Sequence, residues 1–268
     1  MAPFRFREGA APLLVSMPHV GTHVPEALLR HMTPIARRLD DTDWHVDRLY
    51  DFLERLGASV LVATHSRYVV DLNRPPDNAN LYPGQDTTGL VPLDTAARAP
   101  LYLPGAAPTD EEIAARVETW WKPYHAKLLD ELGRLKAKHG YALLWDAHSI
   151  ASVLPRFFEG KLSDFNFGTA HGVSCAPGIG QALLTVVQNA KGYTSVLNGR
   201  YVGGYITRRY GRPAENVHAV QLELAQCAYM EELKPPYRFL EEDARRLRPH
   251  LRALLEEFLR CGSLLRKG

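Results

Sequence analysis

The sequence predicts an α/β protein in which helices cover the faces of a central sheet. Short apolar runs alternate with stretches of helical periodicity, and no Gly/Ser linker divides them. Three segments, Ser16-Met17-Pro18-His19, Asp146-Ala147-His148-Ser149 and Gln221-Leu222-Glu223, each follow or end an apolar run. Each carries a metal-competent or catalytic side chain where α/β enzymes gather their ligands, outside the carboxyl ends of strands. At 268 residues, 46% hydrophobic and 23% charged, the chain is an ordinary folded protein, expected to form one domain over residues 1–268.

Taken in order, the first strand is expected at 11–17. A helix starts near Asp43 and stops at Gly57, with Val46, Leu49, Tyr50, Leu53 and Leu56 as its buried stripe. A second strand follows at 58–64, and Tyr68–Leu72 is strand-like until Pro75-Pro76 removes its ladder donors. From Asn73 to Pro108 the chain is rich in Pro, Gly, Asn and Asp, a long loop of the kind that usually serves function. Thr109-Asp110-Glu111-Glu112 is a capping box for a long helix carrying Ile113, Val117, Trp120, Tyr124, Leu128 and Leu135, bent at Pro123 and ended at Gly140. A strand at Tyr141–Trp145 precedes a loop-rich stretch, 146–178. A helix near 179–190, a Gly/Tyr/Arg-rich segment at 199–213, a strand at 217–223 and an amphipathic helix at 240–260 broken at Pro249 complete the order.

Composition removes several function classes. Thirty-two basic against thirty acidic residues leave +2, too balanced for a nucleic-acid or membrane footprint over the whole molecule. Cys175, Cys227 and Cys261 are odd in number and lack Cys-x-x-Cys spacing, so they read as reduced thiols of a cytoplasmic protein. Leu13-Leu14-Val15 is too short for a signal-peptide core or a membrane span, and neither export nor insertion is expected.

Eleven histidines direct attention to metal chemistry. A solitary His19 at a strand-to-loop turn would ordinarily be structural, but His148 supplies a second neutral imidazole and has Asp146 and Ser149 as possible supporting partners. A catalytic Zn²⁺ uses three protein ligands and keeps one position open. Asp43 and Asp47, one helical turn apart, are the sources of the third; both also fit as solvated acids at a helix start. Gln221 and Glu223 share a strand face, and Glu223 is the candidate general base, able to take a water's proton and return it to a leaving amine. Asn73-Arg74, ahead of two prolines, offers a rigid fork and an amide for bidentate capture of a carboxylate. In the glycine-hinged segment 199–213, Arg200, Tyr205 and Arg209 are expected to close over a small anionic substrate.

The segments at 16–22 (SMPHVGT), 41–50 (DTDWHVDRLY), 66–76 (SRYVVDLNRPP), 144–150 (LWDAHSI), 167–172 (FGTAHG), 203–207 (GGYIT) and 220–224 (VQLEL) together resemble the N-formylglutamate amidohydrolase family, from about Pro12 to Met230. The resemblance implies a three-layer α/β/α sandwich with a mixed sheet, phosphorylase/hydrolase-like, as in zinc carboxypeptidases and aspartoacylases. It implies hydrolysis of the linear amide of N-formyl-L-glutamate to L-glutamate and formate, at the end of histidine degradation. It supports His19 and His148 as ligands of one divalent ion, Zn²⁺ foremost and Fe²⁺, Co²⁺ or Mn²⁺ as alternatives, and suggests Asp43 as the third, with Asp47 still open. Glu223 matches the catalytic glutamate, Arg67 is assigned to the reaction centre with it, and Asn73-Arg74 looks like the carboxylate clamp. Two departures stand out: Thr22, where the wider group has a ligating Glu three residues after the His, and His171, where relatives commonly have Asp. Other N-acyl amino acids, small peptides, or a non-catalytic carboxylate-binding role are the alternatives.

Overall fold

The computed structural model describes residues 1–190, 192–232 and 234–265. Seven strands form one sheet: β1 (Phe4–Arg7), β2 (Leu13–Met17), β3 (Ser59–Ala63), β4 (Ala142–Ile150), β5 (Phe165–Gly168), β6 (Ser195–Leu197) and β7 (Val217–Ala225), in the order β1-β3-β2-β4-β7-β5-β6. The four central strands run parallel, whereas β1 on β3 and β5 on β7 are antiparallel, so the sheet is mixed. Seven helices surround it: α1 (Glu26–Leu29), α2 (Val46–Leu49), α3 (Asp110–Arg116), α4 (Lys122–His139), α5 (Ile179–Gln188), α6 (Tyr205–Tyr210) and α7 (Glu241–Leu265).

Alternation along the central strands divides the apolar residues between two cores. Leu13, Val15, Leu143, Trp145, Val220 and Leu222 pack under α2, α5 and α7. Leu14, Leu61, Leu144 and Ala219 pack under α4 and α6. The result is the expected α/β/α sandwich.

Several local expectations need correction. The stretch 43–57 is one helical turn, α2, followed by turns: left-handed His45 (φ 64°) prevents a helical start at Asp43, and Tyr50 (φ −90°, ψ 38°) leaves the helical region directly after Leu49. The buried stripe nonetheless holds, with Val46, Leu49, Tyr50 and Leu53 in the core. Tyr68–Leu72 is buried but not a strand; its backbone closes turns and bonds the long loop, as in Asp71 N–H to Leu90 O at 2.7 Å. β4 runs to Ile150, so Asp146 and His148 lie inside its carboxyl end, and the stretch expected to be loop also holds β5. A further strand, β1, precedes those expected: Phe4-Arg5-Phe6-Arg7 alternates as an edge strand should. Pro249 does not break α7: the helix continues through it to Leu265, with Pro249 on the exposed side.

The capping box at Thr109 forms as read. A π-helical turn, Val117–Trp121, separates α3 from α4 directly before Pro123. The extra residue carries Trp121 toward the long loop, where its Nε1–H donates to Arg74 O at 3.0 Å. One turn on, His125 is stacked on Trp121 and buried. Its Nε2–H donates to Leu72 O and its Nδ1 accepts from Tyr210 Oη, each at 2.9 Å, tying α4 to the loop and to α6.

Burial pushes His125 down to about 3. It is therefore neutral in the folded chain and protonates on unfolding below its ordinary value of 6.5. Its contribution is fully present above pH 6.5 and is lost as pH falls from there toward 3, by up to about 1.4 kcal/mol per pH unit. Urea unfolding of the wild type at pH 7 and pH 5 should show the loss, and His125→Gln, though less stable at pH 7, should show a shallower decline between the two.

Candidate active site

The parallel central strands place three rows of side chains side by side on one face. Leu14, Leu144 and Ala219 are aligned and apolar; the next row is Ser16, Asp146 and Gln221; the last is His148 beside Glu223. The face changes from core to chemistry within one strand period, at the common carboxyl edge of β2, β4 and β7. His19 arrives from the turn just past β2, and the Asp43 backbone N–H donates to His19 O at 3.0 Å, joining the α2 approach to that turn.

His19, Asp43 and His148 are all buried, and one ligand atom from each lies within 4.8 Å of the others. Asp43 Oδ2 is 3.0 Å from His148 Nδ1 and 3.8 Å from His19 Nδ1. The far nitrogen of each ring meets another buried carboxylate: His19 Nε2 is 2.7 Å from Asp71 Oδ1, and His148 Nε2 is 3.1 Å from Asp146 Oδ2. Burial opposes the His148 cation, but Asp146 and Asp43 outweigh it and hold its pKa well above the ordinary value, with Nδ1 hydrogen-bonded to Asp43 at 3.0 Å. A cation bound at Asp43 would take the place of that Nδ1 proton, leaving each Nε2 to its own carboxylate. Two neutral imidazoles and one carboxylate, each imidazole oriented by a second carboxylate, form a donor set that fits a catalytic divalent cation. Asp47, by contrast, is exposed and sits 3.5 Å from Arg5 on the surface.

Charge is concentrated around this cluster. Burial works against ionisation of Asp71, but Arg67, His19 and Arg74 outweigh it and hold its carboxyl well below the usual range. Burial likewise opposes the Arg67 cation, yet Asp71, Asp43 and Asp41 keep it above its ordinary value, and its Nη2 donates to Asp71 Oδ2 at 2.6 Å. Glu223 behaves differently: burial dominates, Asp43 and Asp146 add to it, and the carboxyl is pushed up to about 8 against the pull of His148 and Arg67. One Glu223 oxygen accepts from Gln221 Nε2 at 3.2 Å, and Gln221 Oε1 accepts from the Gly204 N–H at 2.7 Å.

A cavity of ≈ 270 Å³ opens above the cluster. His19, Asp43, His148, Glu223, Arg67, Asn73, Arg74 and Arg200 all line it. Arg74 donates to Thr88 O at 2.9 Å and to Asn73 O at 3.1 Å; Arg200 donates to Phe157 O at 2.6 Å. Among the described residues, no carboxylate forms an ion pair with either arginine, so two cations face the cavity bonded only to neutral oxygens and aromatic rings.

Not every expected site residue is there. Tyr205 lies on α6 and packs against Trp121 and His125, at ring separations of 5.7 and 5.6 Å, and Arg209 on the same helix is exposed; neither lines the cavity. The glycine-hinged segment was expected to be a closing flap, but residues 205–210 are helical, which turns both side chains away. His171 is exposed on a turn outside the cavity. Ser149 bonds Tyr229 and Gln226 and not His148. Asp71 went unassigned in the sequence, although a lone carboxylate inside the apolar run Tyr68–Leu72 is itself a signal of a buried partner.

The model of the N-formylglutamate amidohydrolase family matches residues 11–230. Two curated relatives described as N-formylglutamate deformylase, from Pseudomonas aeruginosa and Pseudomonas putida, are 52% and 50% identical to this chain, each match covering 96% of both partners. Among solved structures, the crystal structure of N-formylglutamate amidohydrolase from Ralstonia eutropha JMP134 has a TM-score of 0.82 at 28% identity, over 100% of both chains. The gene product Atu2144 from Agrobacterium tumefaciens shares the fold, with a TM-score of 0.74 at 17% identity over 97% of this chain and 96% of its own.

The two aspartates of the α2 approach separate by experiment. Asp43→Ala should leave protein dialysed against trace Zn²⁺ without stoichiometric metal by elemental analysis. Asp47→Ala should keep its metal and shift stability by no more than about 0.5 kcal/mol, as for an exposed ion pair.

Proposed function

The chain belongs to the N-formylglutamate amidohydrolase family, and from that premise we propose that it hydrolyses N-formyl-L-glutamate to L-glutamate and formate, using one divalent cation held by His19, Asp43 and His148. Zn²⁺ suits this donor set best, though Fe²⁺, Co²⁺ and Mn²⁺ accept the same ligands. The observation that carries the substrate reading is the pair of cavity arginines, Arg74 and Arg200, without carboxylate partners. A dicarboxylate such as N-formylglutamate supplies the two anions they lack, and guanidinium forks match carboxylates in geometry.

When bound, the cation supplies Lewis acidity, which makes water easier to deprotonate and polarises the formyl carbonyl. Glu223 is the proton carrier. Its burial favours the protonated form, and it stands directly beside His148 in the register of β4 and β7. The positive charge of a cation held at His19, Asp43 and His148 would favour its ionised form. With one oxygen held by Gln221, the Glu223 carboxylate then takes the attacking water's proton on the other and delivers it to the departing amine. Arg67, anchored by Asp71, presents its fork to the cavity beside Glu223 and offsets the negative charge that grows on the carbonyl oxygen. The residues required lie within a single unit spanning the described chain, which we read as one catalytic domain. Among the described residues no helix is long and apolar enough to cross a membrane, and all three cysteines are free, in keeping with a cytoplasmic enzyme acting on a small molecule.

Glu223→Gln should keep its metal and lose about 10²- to 10⁴-fold in formate release, the usual contribution of a positioned acid–base group. Full turnover in that variant would remove Glu223 from the role of base. A substrate series tests the arginines: N-formyl-L-glutamine, one charge short, should fall about 10- to 100-fold below N-formyl-L-glutamate in kcat/KM, the value of one charge-assisted bond. Equal rates on the two would place the arginines outside substrate recognition.

A further inference from the structure

Asn73 stands next to Arg74 at the cavity wall, where the sequence suggested that the two act together on a carboxylate. Its surroundings point elsewhere. Asn73 is only 3% exposed, and its amide is engaged at both ends. The Nδ2 group donates to Asp146 Oδ2 at 3.3 Å and lies 3.0 Å from His148 Nε2, while Oδ1 accepts from the Ile206 N–H at 2.8 Å. A Cβ on Gly204 would come within 2.4 Å of Asn73 Nδ2, so the amide is seated where only glycine leaves room.

Resting on the functional reading above, we infer that Asn73 is a positioning residue that fixes the His148 imidazole through Asp146, and that it does not bind substrate. The Asp146 Oδ2 atom is the meeting point. Asn73 Nδ2–H donates to it at 3.3 Å and is itself hydrogen-bonded to His148 Nε2 at 3.0 Å; His148 Nε2 lies 3.1 Å and Thr207 Oγ1 3.5 Å from it, while Asp146 Oδ1 accepts from Ser16 Oγ at 3.2 Å. Held from both sides, the carboxylate and the Asn73 amide fix the Nε2 edge of the His148 ring, which keeps Nδ1 turned toward Asp43 and the cation position. The same residue reaches the other imidazole. The Asn73 backbone N–H donates at 2.8 Å to Asp71 Oδ1, the oxygen that also holds His19 Nε2. One turn of chain, 71–73, thus orients both histidines: His19 through Asp71 and His148 through Asn73 and Asp146. Arg74 alone, whose guanidinium bonds only neutral oxygens, is left to meet a substrate anion.

The test compares Asn73→Asp, Asn73→Ala and Arg74→Gln as metal-loaded proteins, using chelator competition and kcat and KM for N-formyl-L-glutamate. Asn73→Asp keeps the shape and the acceptor for Ile206 but loses the donor to Asp146, and thermal unfolding checks that it is folded. In both Asn73 variants the chelator concentration that strips half the metal should fall about 10- to 100-fold, as for loss of a supporting partner of a metal ligand. Their kcat should fall with it, while KM stays within about threefold, because no ground-state contact to substrate is removed. Arg74→Gln should do the reverse, raising KM and leaving chelator resistance unchanged. A tenfold or greater rise in KM for folded Asn73→Asp, with kcat and metal retention at wild-type level, would overturn the inference and return Asn73 to the substrate. A wild-type protein that takes up no metal would instead overturn the functional reading on which the inference rests, and the two failures are told apart by the wild-type control.

Discussion

Four carboxyl groups, Asp43, Asp71, Asp146 and Glu223, are buried at one edge of the sheet, and the cost of desolvating them governs the architecture around them. An isolated carboxylate in a protein interior is unstable unless it is paired, hydrogen-bonded or protonated. Each solution is used here once or more. Asp71 is paired with Arg67 and hydrogen-bonded to His19, Asp146 is hydrogen-bonded from Ser16 and Asn73 with His148 beside it at 3.1 Å, and Glu223 is driven toward protonation. Asp43, between two imidazole nitrogens, is the one left for a cation. With Asp43, Asp71 and Asp146 negative and Arg67 positive, a dication held at Asp43 would bring the cluster to neutrality and favour the ionised form of Glu223 that a base requires.

That requirement explains why so much irregular chain is kept in fixed order. The loop from Asn73 to Pro108 has few regular hydrogen bonds of its own, yet its beginning is held from three directions: Trp121 reaches Arg74 O, His125 reaches Leu72 O, and Asn73 receives Ile206 N–H. The π-turn at Val117–Trp121 and the helix α6 therefore act on the site without lining it. Backbone at residues 71–74 cannot drift without disturbing both imidazoles and the arginine beside them.

The layered fold was legible because it depends on average properties: apolar runs on β2 and β4, alternation at the end of β7 and helical spacing on α4 and α7 are repeated often enough to be read. His19, His148 and Glu223 were legible for a related reason, since a polar side chain at the end of an apolar strand must have a purpose in the folded chain. The misreadings share a cause as well. The shortness of α2, the non-strand course of Tyr68–Leu72 and the helix at Tyr205–Tyr210 are set by contacts between segments far apart in sequence, such as Asp43 with His19 and Asn73 with Ile206. Composition alone suggests Tyr205 and Arg209 as substrate contacts, but helical geometry packs Tyr205 against Trp121 and His125 and leaves Arg209 exposed, both away from the cavity.

Asn73 and Arg74 show how far adjacency in sequence is from community of role. The backbone reverses between them in a turn held by Asp71, sending one side chain down toward the strands and the other toward the cavity. The amide, with a donor and an acceptor, suits a buried position where a carboxylate and a backbone N–H must be satisfied together. The guanidinium, charged at every pH and difficult to bury without an anion, suits the wall. Division of labour between the neighbours follows from what each group costs to desolvate, and the same criterion separates Asp43 from Asp47 and Glu223 from the surface glutamates of α7.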